Sequence, residues 1–277
     1  MMRGAGIALF LLTLSVSAGA TAEPASPPRH IVSLTLCTDA MLMDLAPPSR
    51  IASISYLSRD PSVVKFFPEA ARLPVNHNSP EEVLALHPDL ILTLDYASPM
   101  IETLAANSGA RLLVLDEPQT FDAIKANMRR VGDAVGARPE AERQIARMEA
   151  ILKELAATRP QRPVRVAGWG GGGFVPGRQS LFNQVLEAAG GVNIAGDETS
   201  YYDVESLIAA KPDVLAYADD YLEAPSLRRD QNDHPALMQW VGRKRVIYPA
   251  LMLDCGLPQT ADAAKALRAD LQKARGR

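Results

Sequence analysis

Short apolar runs alternate with helical patterns along residues 30–115. The predicted elements are strands at 30–34, 50–55, 90–94 and 111–115 and helices at 38–45, 80–86 and 99–107. The strand candidates are continuous in Val, Ile and Leu, and helices separate them. This arrangement predicts a parallel sheet that is covered on both faces.

Residues 120–158 contain no strand candidate. An amphipathic helix is predicted from residue 120 to Gly136, and Pro139 opens a second one. Beyond Pro160 the alternation resumes, with strands at 164–169, 214–217 and 245–248 and helices at 181–189, 204–210 and 261–273. We therefore predict an α/β protein with two Rossmann-like lobes, each with a parallel sheet, joined by a long connecting helix. The predicted boundaries are 29–119 for the N-terminal lobe, 120–159 for the connecting segment and 160–277 for the C-terminal lobe.

An internal repeat supports the division into two lobes. Residues 81–95 (EEVLALHPDLILTLD) and 205–219 (ESLIAAKPDVLAYAD) share 5 identities in 15 positions at a constant offset of 124. Average composition would produce about one such match. The two lobes therefore look like copies of one plan, although a common local helix–Pro–Asp–strand connection is the alternative.

The N-terminus has the pattern of a secretory signal peptide. Arg3 precedes an apolar run at 5–18, and residues 20–22 form a small-x-small cleavage site, so residues 1–22 are predicted to be removed. The run is too short to cross a bilayer. Residues 23–28 are predicted to be an extended leader with no core to join. The mature protein is expected to be soluble and periplasmic.

Composition and charge exclude several classes of protein. The 277 residues are 47% hydrophobic and 22% charged, which is typical of a globular domain rather than of a disordered or fibrous chain. The net charge of −3 supplies no basic field for nucleic acid. We expect a monomer that does not bind nucleic acid.

Candidate ligand contacts lie in loops that follow the predicted strands. In open α/β sheets ligands bind at the carboxyl ends of the strands, so two facing lobes would bring these loops to one cleft. Aromatic residues make up only 5% of the chain, yet several fall in these loops, which favours a large and partly flat ligand. The loop candidates are Cys37, Tyr56, Tyr96, Trp169, Gly171, Gly172, Phe174, Tyr221 and Leu253.

The two cysteines of an exported protein are expected to form a disulfide. Cys37 follows the first predicted strand of one lobe, and Cys255 follows the last predicted strand of the other. A bond between them would tie the lobes on one side of the cleft. A pair of thiolates that contacts the ligand is the alternative.

Several segments resemble a known family. The stretches SLFNQVLEAAGGVNIAGD (180–197), RHIVSLTLCTDAMLMDL (29–45) and NSPEEVLALHPDLIL (78–92) are similar to periplasmic binding proteins for cobalamin and ferric siderophores, and most of all to the cobalamin-binding members. The resemblance implies the substrate-binding component of an ABC importer, which captures a corrinoid or ferric siderophore and delivers it to a permease dimer. Any cobalt or iron would belong to the ligand, and the protein itself would need no cofactor.

The resemblance adds residues to the predicted site. Tyr201 or Tyr202 lies near an aromatic position of the family pattern, and we assign Tyr202 to the ligand set. Thr38, next to Cys37 in the chain, is assigned to the ligand set as well. Glu81 and Glu205 match the glutamates that dock on permease arginines, one in each lobe. The repeat places both at equivalent helix starts, which suits a partner with two-fold symmetry. The alternative is that the helix dipole favours acids in a first turn.

Other functions have weaker support. A heme-binding or free-metal-binding protein of the same fold is one alternative; His77 lies near the predicted cleft mouth, but no His, Asp and Glu cluster accompanies it, so a surface role is expected and no metal ligand is assigned. A secreted hydrolase using Asp95 and Asp219 is another. Because no nucleophile elbow or metalloprotease helix is present, we predict that the protein is not an enzyme.

Overall fold

The computed structural model describes residues 26–95, 100–219, 234–241 and 244–275. Its N-terminal lobe is built on five parallel strands. They are β1 (Ile31–Ser33), β2 (Ile51–Ser55), β3 (Val75–Asn76), β4 (Leu90–Leu94) and β5 (Arg111–Leu115). The sheet order is β3-β2-β1-β4-β5. The helices of this lobe are α1 (Leu36–Leu45), α2 (Pro61–Val64), α3 (Pro80–Ala85) and α4 (Met100–Ser108).

Two helices form the connection between the lobes. They are α5 (Phe121–Val135) and α6 (Arg138–Ala157), and Gly136 ends the first with a left-handed φ of 72°. Only glycine adopts that conformation without steric cost, which is why the helix ends there. The 20-residue α6 is the predicted long helix.

The C-terminal lobe has a four-stranded parallel sheet and a small antiparallel pair. Its strands are β6 (Val164–Trp169), β7 (Phe174–Val175), β8 (Gly191–Asn193), β9 (Ser200–Tyr201), β10 (Val214–Ala218) and β11 (Arg245–Tyr248). Its helices are α7 (Leu181–Ala188), α8 (Val204–Ala209), α9 (Pro235–Val241), α10 (Ala250–Cys255) and α11 (Thr260–Arg275). The parallel sheet has the order β11-β10-β6-β8, and β7 pairs with β9. The predicted fold class is confirmed.

The connecting helices pack on both lobes. Helix α5 contacts α1 and β5, whereas α6 contacts α7 and α11. The largest hydrophobic core is therefore continuous from the N-terminal lobe through α5 and α6 into the C-terminal lobe. The leader also differs from the prediction, because Pro28 is buried and its carbonyl accepts a hydrogen bond from Arg50 at 2.7 Å.

The internal repeat is present in the topology of the two sheets. Read from its other edge, the C-terminal sheet runs β8-β6-β10-β11, which matches β2-β1-β4-β5 of the N-terminal lobe; β3 is an additional edge strand. His87 and Lys211 each lie two positions after the end of a repeated helix, are 124 positions apart and have φ values of 46° and 50°. Non-glycine residues rarely adopt positive φ, so this shared conformation marks equivalent backbone.

Side chains repeat as well. Ser79 caps α3 through Glu82 N–H, and Asp203 caps α8 through Ser206 N–H. The Asp89 carboxylate accepts the backbone N–H groups of Arg29 and His30 just before β1, and Asp213 accepts the N–H of Arg165 in β6. The repeat is therefore a structural unit of each lobe and not only a local turn.

Candidate functional site

An exposed aromatic pair stands at the carboxyl edge of the N-terminal sheet. Tyr56 follows β2 directly, and His77 follows β3 directly. Since Ser55 pairs with Asn76 in the parallel register, the two following residues are neighbours. Their rings are stacked, with centroids 5.1 Å apart and an interplanar angle of 25°. Tyr56 is 45% exposed and offers one flat surface to a ligand.

The C-terminal lobe presents a second aromatic pair. Phe174 of β7 and Tyr201 of β9 are direct partners in the antiparallel register, and their rings meet edge to face with centroids 6.0 Å apart. Tyr201 is 74% exposed. This pair lies beyond the carboxyl end of β6, so each lobe carries aromatic rings at the edge of its sheet where ligands of α/β proteins bind.

The glycine run 171–173 shapes this second surface. Gly172 and Gly173 have φ values of 77° and 84°. A Cβ on Gly173 would lie 2.2 Å from the backbone oxygen of Tyr202. Glycine is therefore required for the turn before β7 to approach β9, and the Tyr202 N–H donates to Gly173 O at 2.8 Å.

A cavity of about 200 Å³ lies between the lobes. Its walls come from the loop after β5, from the carboxyl ends of β10 and β11, from the start of α7 and from α10. They include Glu117, Gln119, Phe174, Ala218, Tyr248 and Leu253. Leu253 was predicted in a strand-end loop, but it lies in α10, a six-residue helix, with its side chain at the cavity.

A disulfide joins the lobes beside this cavity. Cys37, in the first turn of α1, is bonded to Cys255, the last residue of α10, and their Cα atoms are 4.8 Å apart. With both sulfurs in the bond, neither residue offers the ligand a thiolate, so the structure disagrees with that alternative. A polar contact accompanies the covalent one, because Gln259, just before α11, donates to both carboxylate oxygens of Asp44 in α1 at 2.9 and 3.2 Å. Burial raises the pKa of Asp44 to about 6.

Two predicted ligand contacts, Trp169 and Thr38, disagree with the structure because their side chains face the protein interior. Trp169 is fully buried among Val175, Leu207 and other residues of the C-terminal core. Thr38 is also fully buried, and its hydroxyl bonds to the side chains of Ser33 and Thr35 in the capping box of α1.

Tyr202 is only partly buried, so its assignment to the ligand set stays a prediction. It packs against the C-terminal core, whereas Tyr201 takes the exposed position, because neighbouring residues of an extended segment point to opposite sides. Of the remaining predicted contacts, Gly171 and Gly172 lie in the turn before β7, and Tyr96 and Tyr221 lie outside the described residues.

The burial of Trp169 leads to a stability prediction. Replacing it with alanine removes a fully buried side chain, so Trp169→Ala is expected to lower the free energy of unfolding by about 3–5 kcal/mol. The matched change Tyr201→Ala removes an exposed ring and is expected to cost about 1 kcal/mol or less. Urea denaturation of both variants measures the difference. If the urea midpoints of Trp169→Ala and wild type were equal, the indole would not be packed in the core.

Asp39, to which no sequence pattern pointed, is a buried carboxyl group beneath the surface of the N-terminal lobe. Its Oδ2 accepts hydrogen bonds from the Ser55 N–H at 2.9 Å and the Ser58 hydroxyl at 2.6 Å. Its Oδ1 has no partner among the described residues. Burial raises the pKa of Asp39 to about 8. Asp39 thus holds both ends of the turn that carries Tyr56.

The predicted docking glutamates are exposed in both lobes. Glu81 lies in the first turn of α3 and Glu205 in the first turn of α8. Both helices begin at the carboxyl edge of their sheets, so the two carboxylates occupy equivalent positions in the repeat.

Two classes of feature are not found in the described part of the chain. No group of three His, Cys, Asp or Glu side chains there is arranged to hold a metal ion. No helix within it has the length and apolar character needed to cross a bilayer.

Comparisons with known proteins agree with this architecture. The family model described as "Periplasmic binding protein" matches residues 31–215. The apo structure of the periplasmic heme-binding protein RhuT from Roseiflexus sp. RS-1 has 25% identity and a TM-score of 0.75, with 89% of this chain and 99% of that chain covered. The periplasmic vitamin B12-binding protein BtuF of Vibrio cholerae has the same fold, with 19% identity, a TM-score of 0.67 and coverage of 91% and 99%.

A curated relative is similar over a shorter region. It is the uncharacterized ABC transporter substrate-binding lipoprotein YvrC of Bacillus subtilis (strain 168), with 21% identity over 216 residues, which are 73% of this chain and 68% of the relative. The two solved structures are thus heme-binding and vitamin B12-binding proteins, and the curated relative is a substrate-binding lipoprotein of an ABC transporter. The predicted family is confirmed: with most of its length matched by the family model, the chain belongs to the periplasmic binding protein family.

Proposed function

We propose that this protein is the exported component of an ABC importer that captures a metal chelate between its lobes and delivers it to a permease dimer. The observation that carries the proposal is the presence of aromatic rings at the carboxyl edge of both sheets, Tyr56 with His77 in one lobe and Phe174 with Tyr201 in the other. Flat apolar surfaces of this kind suit a corrinoid, a heme or an aromatic siderophore.

The chemistry of the described residues favours a chelate over a bare ion. A free metal needs several protein ligands, and the described residues contain no group of three. A chelate brings its own donor atoms, so the metal belongs to the cargo and the protein needs no cofactor.

The hydrolase alternative has little support. Asp219 Oδ1 accepts the N–H of Ala250 at 2.8 Å, at the start of α10, so this carboxylate has a structural role. Asp95 is exposed at the end of β4. We therefore propose binding without turnover.

The proposal also includes export of the protein and its docking on the permease. Cleavage after residue 22 would release a monomer into the periplasm. Glu81 and Glu205 would then meet basic residues of a permease with two-fold symmetry.

The test is to purify the mature protein from the periplasm of its own cells and expose it to aquocobalamin, hemin or ferric siderophores. Absorption spectra and native mass spectrometry are expected to detect one chelate per monomer. If no corrinoid, heme or siderophore is retained, the proposal is wrong.

A further inference from the structure

Asp39 joins helix α1 to the turn that carries Tyr56. This turn follows β2 directly and is a single stretch of 3₁₀-helix, Tyr56–Arg59. The Ser55 N–H at its start and the Ser58 hydroxyl near its end both donate to Asp39 Oδ2, at 2.9 and 2.6 Å. One carboxyl oxygen therefore receives hydrogen bonds from both ends of the turn.

Apolar packing contributes little to holding this turn. Tyr56 and Leu57 are 45% and 48% exposed, so neither side chain is fixed in a core. Ser58 is the buried member of the turn, and its hydroxyl makes the hydrogen bond described above. Arg59 holds the chain that follows, because its guanidinium donates to backbone oxygens within residues 71–73. The position of the Tyr56 ring therefore depends on the hydrogen bonds to α1.

Helix α1 is a fixed support for these hydrogen bonds. The helix begins with a capping box, in which side-chain hydroxyls accept backbone N–H groups of its first turn. Cys37, in the same turn, is bonded to Cys255 of the C-terminal lobe. Asp39 thus connects the Tyr56 surface to a helix that is covalently attached to the other lobe. This connection places the Tyr56 surface relative to the second half of the cleft.

The carboxyl group of Asp39 is costly at its position. The residue is fully buried, and its Oδ1 has no hydrogen-bond partner within the described residues. A buried polar atom without a partner destabilises the folded state, and an apolar side chain would avoid that cost. An apolar side chain, however, could not accept hydrogen bonds from the turn. What the carboxyl group provides at this position is an acceptor for both ends of the turn.

We infer that Asp39 is a positioning residue for the cargo, which fixes the Tyr56 ring in the orientation that binds a chelate between the lobes. This inference rests on the proposed function and deepens it, because it gives a residue buried beneath the cleft a role in chelate affinity. Asp39 itself does not touch the cargo. Since it acts through the turn, its loss should matter only while the Tyr56 ring is present.

The test is a double-mutant cycle of Asp39→Ala and Tyr56→Ala in the mature protein. Aquocobalamin, hemin and ferrioxamine B are titrated into wild type, and the probe that binds most tightly is used throughout. Each single variant is expected to weaken binding of that probe about tenfold. The double variant should bind it within about threefold of Tyr56→Ala alone, because removing the ring also removes the route by which Asp39 acts.

Two milder variants cover the case in which Asp39→Ala folds poorly. Burial raises the pKa of Asp39 to about 8, so at neutral pH the carboxyl group is mainly the uncharged acid. Asp39→Asn is the uncharged isostere, and its amide oxygen can accept both hydrogen bonds, so affinity should lie within about threefold of wild type. Ser58→Ala removes only the hydrogen bond from the hydroxyl and is expected to weaken binding about fivefold. The same cycle with Tyr56→Ala is run with Ser58→Ala.

The matched control is Ser62→Ala. The Ser62 hydroxyl also donates to an aspartate, Asp60 Oδ1 at 2.6 Å, but this pair lies at the start of α2, beyond the turn. Its loss should leave affinity within about twofold of wild type. Amide hydrogen exchange of residues 55–59 gives a readout without any probe: it should be faster in Asp39→Ala and Ser58→Ala and unchanged in Ser62→Ala.

The outcomes separate this inference from the proposed function. If the effects of the two single variants add in the double variant, Asp39 affects binding independently of the Tyr56 ring; the inference is then overturned, while the proposed function stands. Equal affinities of wild type, Asp39→Ala and Ser58→Ala for the probe would also overturn it. If aquocobalamin, hemin and ferrioxamine B all fail to bind wild type, the proposed function is wrong and the inference falls with it.

Discussion

Reversing both docking charges, with Glu81→Lys and Glu205→Lys in one protein, is expected to abolish transport while chelate affinity stays within twofold of wild type. Each lysine would oppose a basic residue of the permease, and like charges placed together across an interface cost several kcal/mol. Since about 1.4 kcal/mol corresponds to a tenfold change, association should weaken by well over tenfold. Uptake by cells and stimulation of the importer's ATPase measure the effect.

The control variant reverses the charge of two acidic residues that lie away from Glu81 and Glu205. Glu149 on α6 is exposed and Asp270 on α11 is partly exposed, and they form ion pairs near the surface with Lys125 and Lys273. Exposed pairs of this kind contribute about 0–1 kcal/mol, so Glu149→Lys with Asp270→Lys should fold and support uptake. If the variant with both Glu81→Lys and Glu205→Lys supports normal uptake, these two residues do not dock on the permease. They would then only interact favourably with the dipoles of their own helices.

The stability of the protein is expected to fall with rising pH because of Asp39. Its ordinary pKa is 3.8, and burial raises it to about 8 in the folded state. Between these values the folded protein binds more protons than the unfolded chain, so the free energy of unfolding decreases as the pH rises. The decrease attributable to this group is at most about 1.4 kcal/mol per pH unit, and it ends above the folded pKa.

The variant Asp39→Asn isolates this effect. It has no titrating group at the site, whereas Asp44, whose pKa is raised to about 6, contributes equally to both proteins and cancels in the comparison. Urea denaturation from pH 4 to pH 8 should therefore show wild type losing stability relative to Asp39→Asn. Parallel pH profiles would contradict the assignment of a buried, protonated Asp39.

Periodicity predicted the regular elements well because burial on both faces of a parallel sheet requires continuous apolar strands. The bounds predicted for β6 and β11 agree with the structure, and the break at Gly136 does too. The two-residue strands β3 and β7 are too short to produce a pattern. Helix α10 was missed because its sequence, ALMLDC, is apolar at every position except Asp254 and therefore has no alternation of apolar and polar faces.

The site was harder to predict because position after a strand does not determine the direction of a side chain. Trp169 was predicted to contact the ligand from the end of its strand, but this last residue of β6 points into the core. Tyr56 and His77 are 21 positions apart and meet only because β2 and β3 pair in one particular register. The burial of Asp39 could not be predicted from the sequence either, because only the fold brings Ser55 and Ser58 to its carboxylate.

The most direct test of the central claim is a crystal structure of the mature protein with the chelate that it retains, with anomalous scattering used to locate the metal. We predict one metal peak between the lobes, with the plane of the chelate between the Tyr56 and Tyr201 surfaces. A metal peak outside the cleft, or a chelate that contacts only one lobe, would contradict capture between the lobes.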